Sequence, residues 1–250
     1  MNYKEYGGNN KDVIIFLHGG GLSWWNYREV AEGLQDKYHI ILPILDGHCG
    51  SDRPFTTIED NADEIIRYID EHFGGTVLMI GGLSLGGQIL LEILSRRNDI
   101  CRCATIESAM VIPSRLTHAM IRPLFGCSYG LIKHRWFSRL QFRSLHIRQG
   151  LFEEYFKDSC GIKKEDMIAF LQANTSFELK ESIRDCSADV HIYYGQREIS
   201  GIIKSAAQIH KLIQDSHISI LPQLYHGEFS INRPDDYVRE AEKIINGVIR

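Results

Sequence analysis

The sequence predicts an α/β protein: a mostly parallel sheet flanked by helices, with a helical lid inserted into it. Three observations predict this. Short continuous apolar runs alternate with stretches whose apolar residues fall at helical spacing, the pattern of a parallel sheet buried on both faces. The rhythm breaks between residues 111 and 181 and then resumes. The pentapeptide Gly82-Leu83-Ser84-Leu85-Gly86 stands where a strand passes into a helix.

Taken in order, Tyr3 to Tyr6 offers at most one edge strand. Asp12 to Leu17 is a buried strand ending at His18-Gly19-Gly20-Gly21, where glycines let the backbone turn sharply with its amides pointing into a cavity. A helix from about Asn26 to Lys37 follows, with Val30, Ala31 and Leu34 on one face. His39 to Leu45 is the next strand, leading into the loop Asp46 to Pro54. Thr56 with Glu59 three residues on is a capping box opening a helix through about Phe73, which Gly74-Gly75 stops. Thr76 to Ile80 and Leu85 to Ser95 form the strand and helix around Ser84, and Ile100 to Ile106 is a strand whose end delivers Glu107 and Ser108.

From Val111 to Glu181 prolines and glycines punctuate short helix-like pieces dense in aromatics. Residues 1–110 and 182–250 therefore read as core, and 111–181 as an inserted lid. The core resumes with a strand at Asp189 to Tyr194, a helix from about Ile202 to Gln214, a strand at Ile218 to Leu221, and a closing helix from Pro234 to Ile249 with proline in its first turn.

A chain of 250 residues accommodates one large domain with an insertion. A net charge of -4 gives no overall electrostatic case for nucleic acid or an anionic membrane. Met1 to Lys11 is polar and no apolar run approaches about 18 residues, so neither a signal peptide nor a spanning helix is expected and the reading is cytoplasmic. The cysteines at 49, 101, 103, 127, 160 and 186 lack Cys-x-x-Cys spacing, which argues against a zinc site and for reduced thiols. No His-Glu-x-x-His, phosphate-binding loop or dinucleotide fingerprint is present, so the expectation is no metal and no cofactor.

Acyl transfer by a serine needs a base for the hydroxyl proton, a carboxylate to orient that base, and amides for the oxyanion. Ser84 on a tight strand-to-helix turn would stand clear of the sheet, with the following helix aimed at it. Glu198 lies three residues past Gly195 at the end of one strand, and His226 lies in the last loop before the final helix. Glu107, at the end of the strand before the lid, is the alternative acid. His18 reads as a brace for its own loop, Asp46 and Glu228 as structural loop acids, and Cys49 as an inert thiol.

These residues, in the order serine, acid, histidine, resemble the α/β-hydrolase superfamily over nearly the whole chain. His18-Gly19-Gly20-Gly21 is similar to the family's oxyanion loop, and Asp46-Gly47-His48-Cys49-Gly50-Ser51 to its Asp-x-x-Gly-x-Ser loop. Within the family the chain is most similar to small lidded carboxylesterases and to menaquinone-pathway lyase-type enzymes (SHCHC synthase-like). The resemblance implies Ser84 as nucleophile, His226 as general base, Glu198 as orienting acid, and the amides of Gly20 and Leu85 as the oxyanion hole. Two departures stand out: glutamate where aspartate is usual, and a short N-terminus that implies fewer than eight strands.

Between Ala109 and Phe152 there is no acidic residue, whereas Arg115, Arg122, Lys133, Arg135, Arg139, Arg143 and Arg148 all fall there. One reading is a patch that meets an anion, such as a substrate carboxylate, a phosphate group or an acidic carrier protein. The other, which takes most of these residues, is solvated faces of lid helices whose stems cover the aromatics. Trp24 and Trp25 beside the oxyanion loop, with Arg139 and Arg143 from the lid, are the candidate lining of an apolar acyl or aryl pocket. The expected activity is hydrolysis of a small-molecule carboxylic ester or thioester through an acyl-enzyme, with neither nucleic acid nor membrane insertion involved. Triad-dependent carbon-carbon cleavage or elimination, and a non-catalytic ligand-binding role on the same fold, are the alternatives.

Overall fold

The computed structural model describes residues 1–249. The five apolar residues of β2 (Val13–Leu17) are all buried, and alternation divides them between the two faces of the sheet: Ile15 and Leu17 enter one core cluster, Ile14 and Phe16 the other. The remaining strands are β1 (Tyr3–Tyr6), β3 (His39–Pro43), β4 (Val77–Leu83), β5 (Cys101–Glu107), β6 (Asp189–Gly195) and β7 (His217–Leu221). They form a seven-stranded sheet in the order β1-β3-β2-β4-β5-β6-β7, with β1 antiparallel to β3 and every other pairing parallel. The register sets Leu17 beside Gly82 and Leu83 beside Glu107, so β2, β4 and β5 finish at one edge of the sheet.

Helices cover both faces. α2 (Ile58–Phe73) and α3 (Leu85–Arg96) pack against one another, and α1 (Arg28–Leu34) against α10 (Pro234–Ile249); α8 (Ser200–Leu212) lies on β6. The start of α2 lies one residue later than Thr56 and Glu59 suggested: Thr57 is extended and its hydroxyl accepts from the amide of Asp60 at 3.0 Å. The first helix is shorter than 26–37, because a 3-10 turn (Trp24–Tyr27) precedes α1 and takes Asn26 and Tyr27 into the core.

The insertion after β5 contains α4 (Arg115–Ser128), α5 (Arg135–Ser144), α6 (Phe152–Gly161) and α7 (Lys164–Ser176), and a five-residue α9 (Glu228–Asn232) follows β7. Buried polar groups fix the insertion to the core. The Gln88 amide on α3 donates to Met110 O at 2.6 Å and Asn174 O at 2.9 Å and accepts from the Asn174 amide at 2.9 Å. Asp166 accepts from Phe55 N at 2.9 Å, and Trp25 Nε1 donates to Asp158 at 2.8 Å. Among the described residues no helix is long and apolar enough to cross a membrane.

Replacing Gln88 by Leu keeps the volume but removes the partners of Met110 O, the Asn174 backbone carbonyl and Asn174 Nδ2 in a part-buried contact. Each unsatisfied group costs on the order of 1–3 kcal/mol. Urea unfolding of Gln88→Leu is therefore expected to show a loss of about 2–4 kcal/mol, with protease nicking appearing first within 111–181.

Candidate active site

The backbone at Ser84 has φ 52 and ψ −110, a region that non-glycine residues occupy at a cost of about 1–3 kcal/mol. Its neighbours hold it there. Ser84 N donates to Glu107 O at 2.8 Å, and Ser84 O accepts from Gln88 N at 2.9 Å. The turn is so tight that a Cβ on Gly82 would lie 2.4 Å from Gly86 O, and one on Gly86 would lie 2.1 Å from Leu17 O. The two glycines flanking Ser84 are thus required by backbone contact.

His226 and Glu198 come from the loops after β7 and β6. These loops are tied together by Gln196 N donating to Leu221 O at 2.9 Å and Arg197 N to Leu224 O at 3.0 Å. Gly195 permits that approach, since a Cβ there would lie 2.2 Å from Leu224 O. His226 Nδ1 sits 3.2 Å from Glu198 Oε2. The carboxylate side chain is only 2% exposed and the imidazole 44%. Partial burial of the ring disfavours its charged form, but the hydrogen bond and charge of Glu198, with a further contribution from Glu107, outweigh it and raise the His226 pKa above the ordinary value.

Glu107, the alternative acid, is placed differently. Its carboxylate makes no hydrogen bond to His226; it accepts from Phe229 N at 3.1 Å and Ser230 N at 3.2 Å, in the first turn of α9. It is 1% exposed, and burial pushes its pKa up to about 7 against these amide bonds. Glu107 therefore holds the turn that follows His226. Glu228 is a loop brace as well, accepting from Tyr225 N at 2.6 Å and from the Asn232 amide at 2.9 Å.

The glycine loop His18 to Gly21 shows a division of labour. Gly19 N donates to Asn26 Oδ1 at 3.1 Å and Gly21 N to His48 Nε2 at 3.0 Å, whereas no partner takes up Gly20 N among the described residues. Leu85 N, in the first turn of α3, is one of the amides a helix cannot satisfy internally. Gly20 also lies against Leu85, whose Cβ is 3.5 Å from the position a Gly20 Cβ would take. The two residues whose amides the family resemblance named thus adjoin one another. His18 receives Leu45 N at 3.1 Å on Nε2 and lies 2.9 Å from Gly19 O through Nδ1, which makes it a neutral brace. Burial lowers its pKa well below the ordinary value and that of His48 to about 4, so both stay neutral acceptors for these amides. His48 and Asn26, which sequence reasoning did not single out, have no motif signal: they act through folded proximity.

A cavity of about 130 Å³ is lined by Gly19, Gly20, Leu22, Ser84, Leu145, Ile147, His226 and Ile231 among others. Ser84 and His226 share it. The four residues expected to line the pocket lie elsewhere. Trp25 is buried against Asp158, and Trp24 lies under the cations of Lys4 and Arg28. Arg139 rides over the Phe152 ring at 4.8 Å, and Arg143 is exposed on α5. A larger surface groove, about 870 Å³ between α2, α4 and α7, contains none of the Ser84, His226 and Glu198 group. It is an open gap between helices.

The family model described as the α/β hydrolase fold matches residues 12–126. The chain is similar to the magnesium-chelatase 30 kDa subunit of Rhodobacter capsulatus (29% identical over 102 residues) and to the uncharacterized hydrolase YugF of Bacillus subtilis strain 168 (29% over 101 residues). Each match covers 39% of this chain but only 35% and 37% of those relatives, so the chain spans about a third of their length in alignment. Among solved structures, it is similar to the esterase EaEST from Exiguobacterium antarcticum, with TM-score 0.82, 16% identity, and coverage of 98% and 94% of the two chains. It is also similar to MenH from S. aureus, with TM-score 0.80, 16% identity and full coverage of both. The chain is an α/β-hydrolase-fold protein, with seven strands in its sheet.

Two measurements follow from the electrostatics. Because the His226 pKa is raised, its basic form is lost as pH falls through a value above the ordinary imidazole range. The acid limb of kcat/KM for a neutral ester should lie there; Glu198→Gln should move it toward lower pH and lower kcat by about 10²- to 10⁴-fold. Glu107 has the opposite sign to a paired carboxylate. With its folded pKa raised from 4.5 to about 7, its contribution is fully present below 4.5 and is lost as pH rises toward 7, by up to about 3 kcal/mol. Denaturation of Glu107→Gln across that window should show a flatter pH dependence than wild type.

Proposed function

We propose that the protein is a serine hydrolase acting on a small-molecule carboxylic ester or thioester through an acyl-enzyme. One observation carries the reading: Ser84, held at positive φ by the elbow, opens into the same cavity as His226, whose other ring nitrogen is held by the buried Glu198. The likeness to solved esterases supports the same reading.

In this mechanism His226 Nε2 takes the Ser84 hydroxyl proton as Oγ attacks the acyl carbon. The carbonyl oxygen becomes an oxyanion facing the Gly20 and Leu85 amides, fixed donors that need no reorganisation as the charge develops. Collapse expels the alcohol or thiol, which takes the proton from His226. Water then attacks the acyl-enzyme with His226 again as base, and the acid leaves with Ser84 regenerated. Glu198 keeps the ring in the tautomer with Nδ1 protonated and stabilises the imidazolium between steps. The alternative raised by the resemblance to menaquinone-pathway lyase-type enzymes has the same serine and histidine move a proton in an elimination or carbon-carbon cleavage without an acyl-enzyme, and the fold is shared with MenH from S. aureus.

The cavity is small and apolar, walled by Leu22, Leu145, Ile147 and Ile231, and it suits a short acyl group. Arg135 is ion-paired with Glu153, Arg148 with Glu29, and Arg122 bonds Gln172, which supports the solvated-face reading of the basic lid patch.

A fluorophosphonate should add once to the wild-type mass and not to Ser84→Ala, whose ester turnover should fall by at least about 10³-fold. Absence of the adduct on folded protein would overturn the hydrolase reading. Among p-nitrophenyl esters, acetate to butyrate should be turned over faster than octanoate, and Leu145→Ala should narrow that gap. Arg139→Glu with Arg143→Glu should leave turnover of the neutral esters unchanged.

A further inference from the structure

At the opposite end of the sheet, β6 begins with Asp189 and β7 with His217, and the register pairs His191 with His217. Alternation puts Asp189 and His191 on the same face of β6. The two imidazole rings stack with centroids 4.6 Å apart. Both Nε2 atoms approach the Asp189 carboxylate, that of His191 at 3.1 Å from Oδ2 and that of His217 at 3.4 Å from Oδ1. Neither approach has hydrogen-bond geometry, and His191 Nε2 is buried without any hydrogen-bond partner. The three donor atoms all lie within 4.8 Å of one another.

Buried nitrogens are seldom left unpaired, and a carboxylate three ångströms away would ordinarily have turned to accept. The spacing has another explanation. Ligands at about 2.0–2.1 Å from a tetrahedral ion stand about 3.3 Å from each other; the two imidazole-to-carboxylate approaches, 3.1 and 3.4 Å to the two Asp189 oxygens, bracket that figure, and the three groups lie within 4.8 Å. We propose that Asp189, His191 and His217 bind a divalent transition-metal ion of the Zn²⁺ class, with water in the remaining position.

Two imidazoles and a carboxylate suit zinc or its neighbours and not Mg²⁺ or Ca²⁺, which prefer all-oxygen sets. His217 is the exposed member and leaves an entry path from solvent. The ion would be structural. Six residues of β6, roughly 20 Å at about 3.3 Å each, separate Asp189 from the end that carries Glu198. It would fasten the edge strand β7, which leads to His226, to β6, which leads to Glu198. The cysteines take no part, and the ligands come from two strands, so no spacing motif announces them.

The test uses full-length protein stripped with a chelator, dialysed and titrated with ZnCl₂ by calorimetry and thermal unfolding. One ion per chain is expected, raising Tm by about 5 °C or more at saturation, with no effect from MgCl₂. His217→Ala and Asp189→Asn should each weaken binding by about tenfold or more, while His72→Ala, remote from the cluster, should not. Ester turnover of the stripped, loaded and His217→Ala proteins should agree. The absence of saturable one-to-one binding, a Mg²⁺ response equal to that of Zn²⁺, or affinity within tenfold of wild type in both cluster variants would overturn the assignment.

Discussion

The backbone strain at Ser84 is the constraint on which the site depends. A serine at φ 52 persists only because β4, β5 and α3 over-determine it, through Glu107 O on one side, Gln88 N on the other, and glycines where any side chain would collide with a neighbouring carbonyl. The parallel sheet supplies these neighbours. Its register brings the ends of β2, β4 and β5 level, so one edge holds the free amide of Gly20, the hydroxyl of Ser84 and the carboxylate of Glu107.

Glu107 shows how the strain is shared. Its backbone carbonyl accepts from Ser84 N, while its side chain accepts from Phe229 N and Ser230 N just beyond His226. A single residue at the end of β5 thus fixes the turn of the serine and the loop of the histidine. The cost is a carboxyl buried far from water, offset by amides that can be satisfied in no other way at the start of so short a helix.

Much of this was legible in the sequence because it is local. Gly82, Ser84 and Gly86 declare their turn by the absence of side chains, and the apolar runs declare their strands by length. The order of Ser84, Glu198 and His226 placed each at a strand end. Of the two glutamates at strand ends, only the family resemblance put Glu198 ahead of Glu107; the physical distinction lies in the fold, where Glu198 reaches His226 Nδ1 and Glu107 is taken up by the amides of Phe229 and Ser230. The pocket lining was least legible. Trp24 and Trp25 adjoin the glycine loop in sequence, yet the 3-10 turn directs them to Lys4, Arg28 and Asp158, while Leu145 and Ile147 arrive from more than sixty residues beyond Ser84. Those arrivals depend on Asn232, which donates to His146 O at 2.8 Å and receives Arg148 N at 3.0 Å.

The stacking of His48 on Phe170, with ring centroids 4.6 Å apart, joins a helix of the insertion to the loop that presents Gly20. Phe170 also lies 3.5 Å from where a Gly20 side chain would begin. The insertion is therefore a buttress as much as a cover. Exchanging it for one of different shape would alter the frame that holds the Gly19–Gly21 backbone along with the shape of the cavity, so the outline of the cavity and the backbone beside Ser84 are not separately adjustable modules.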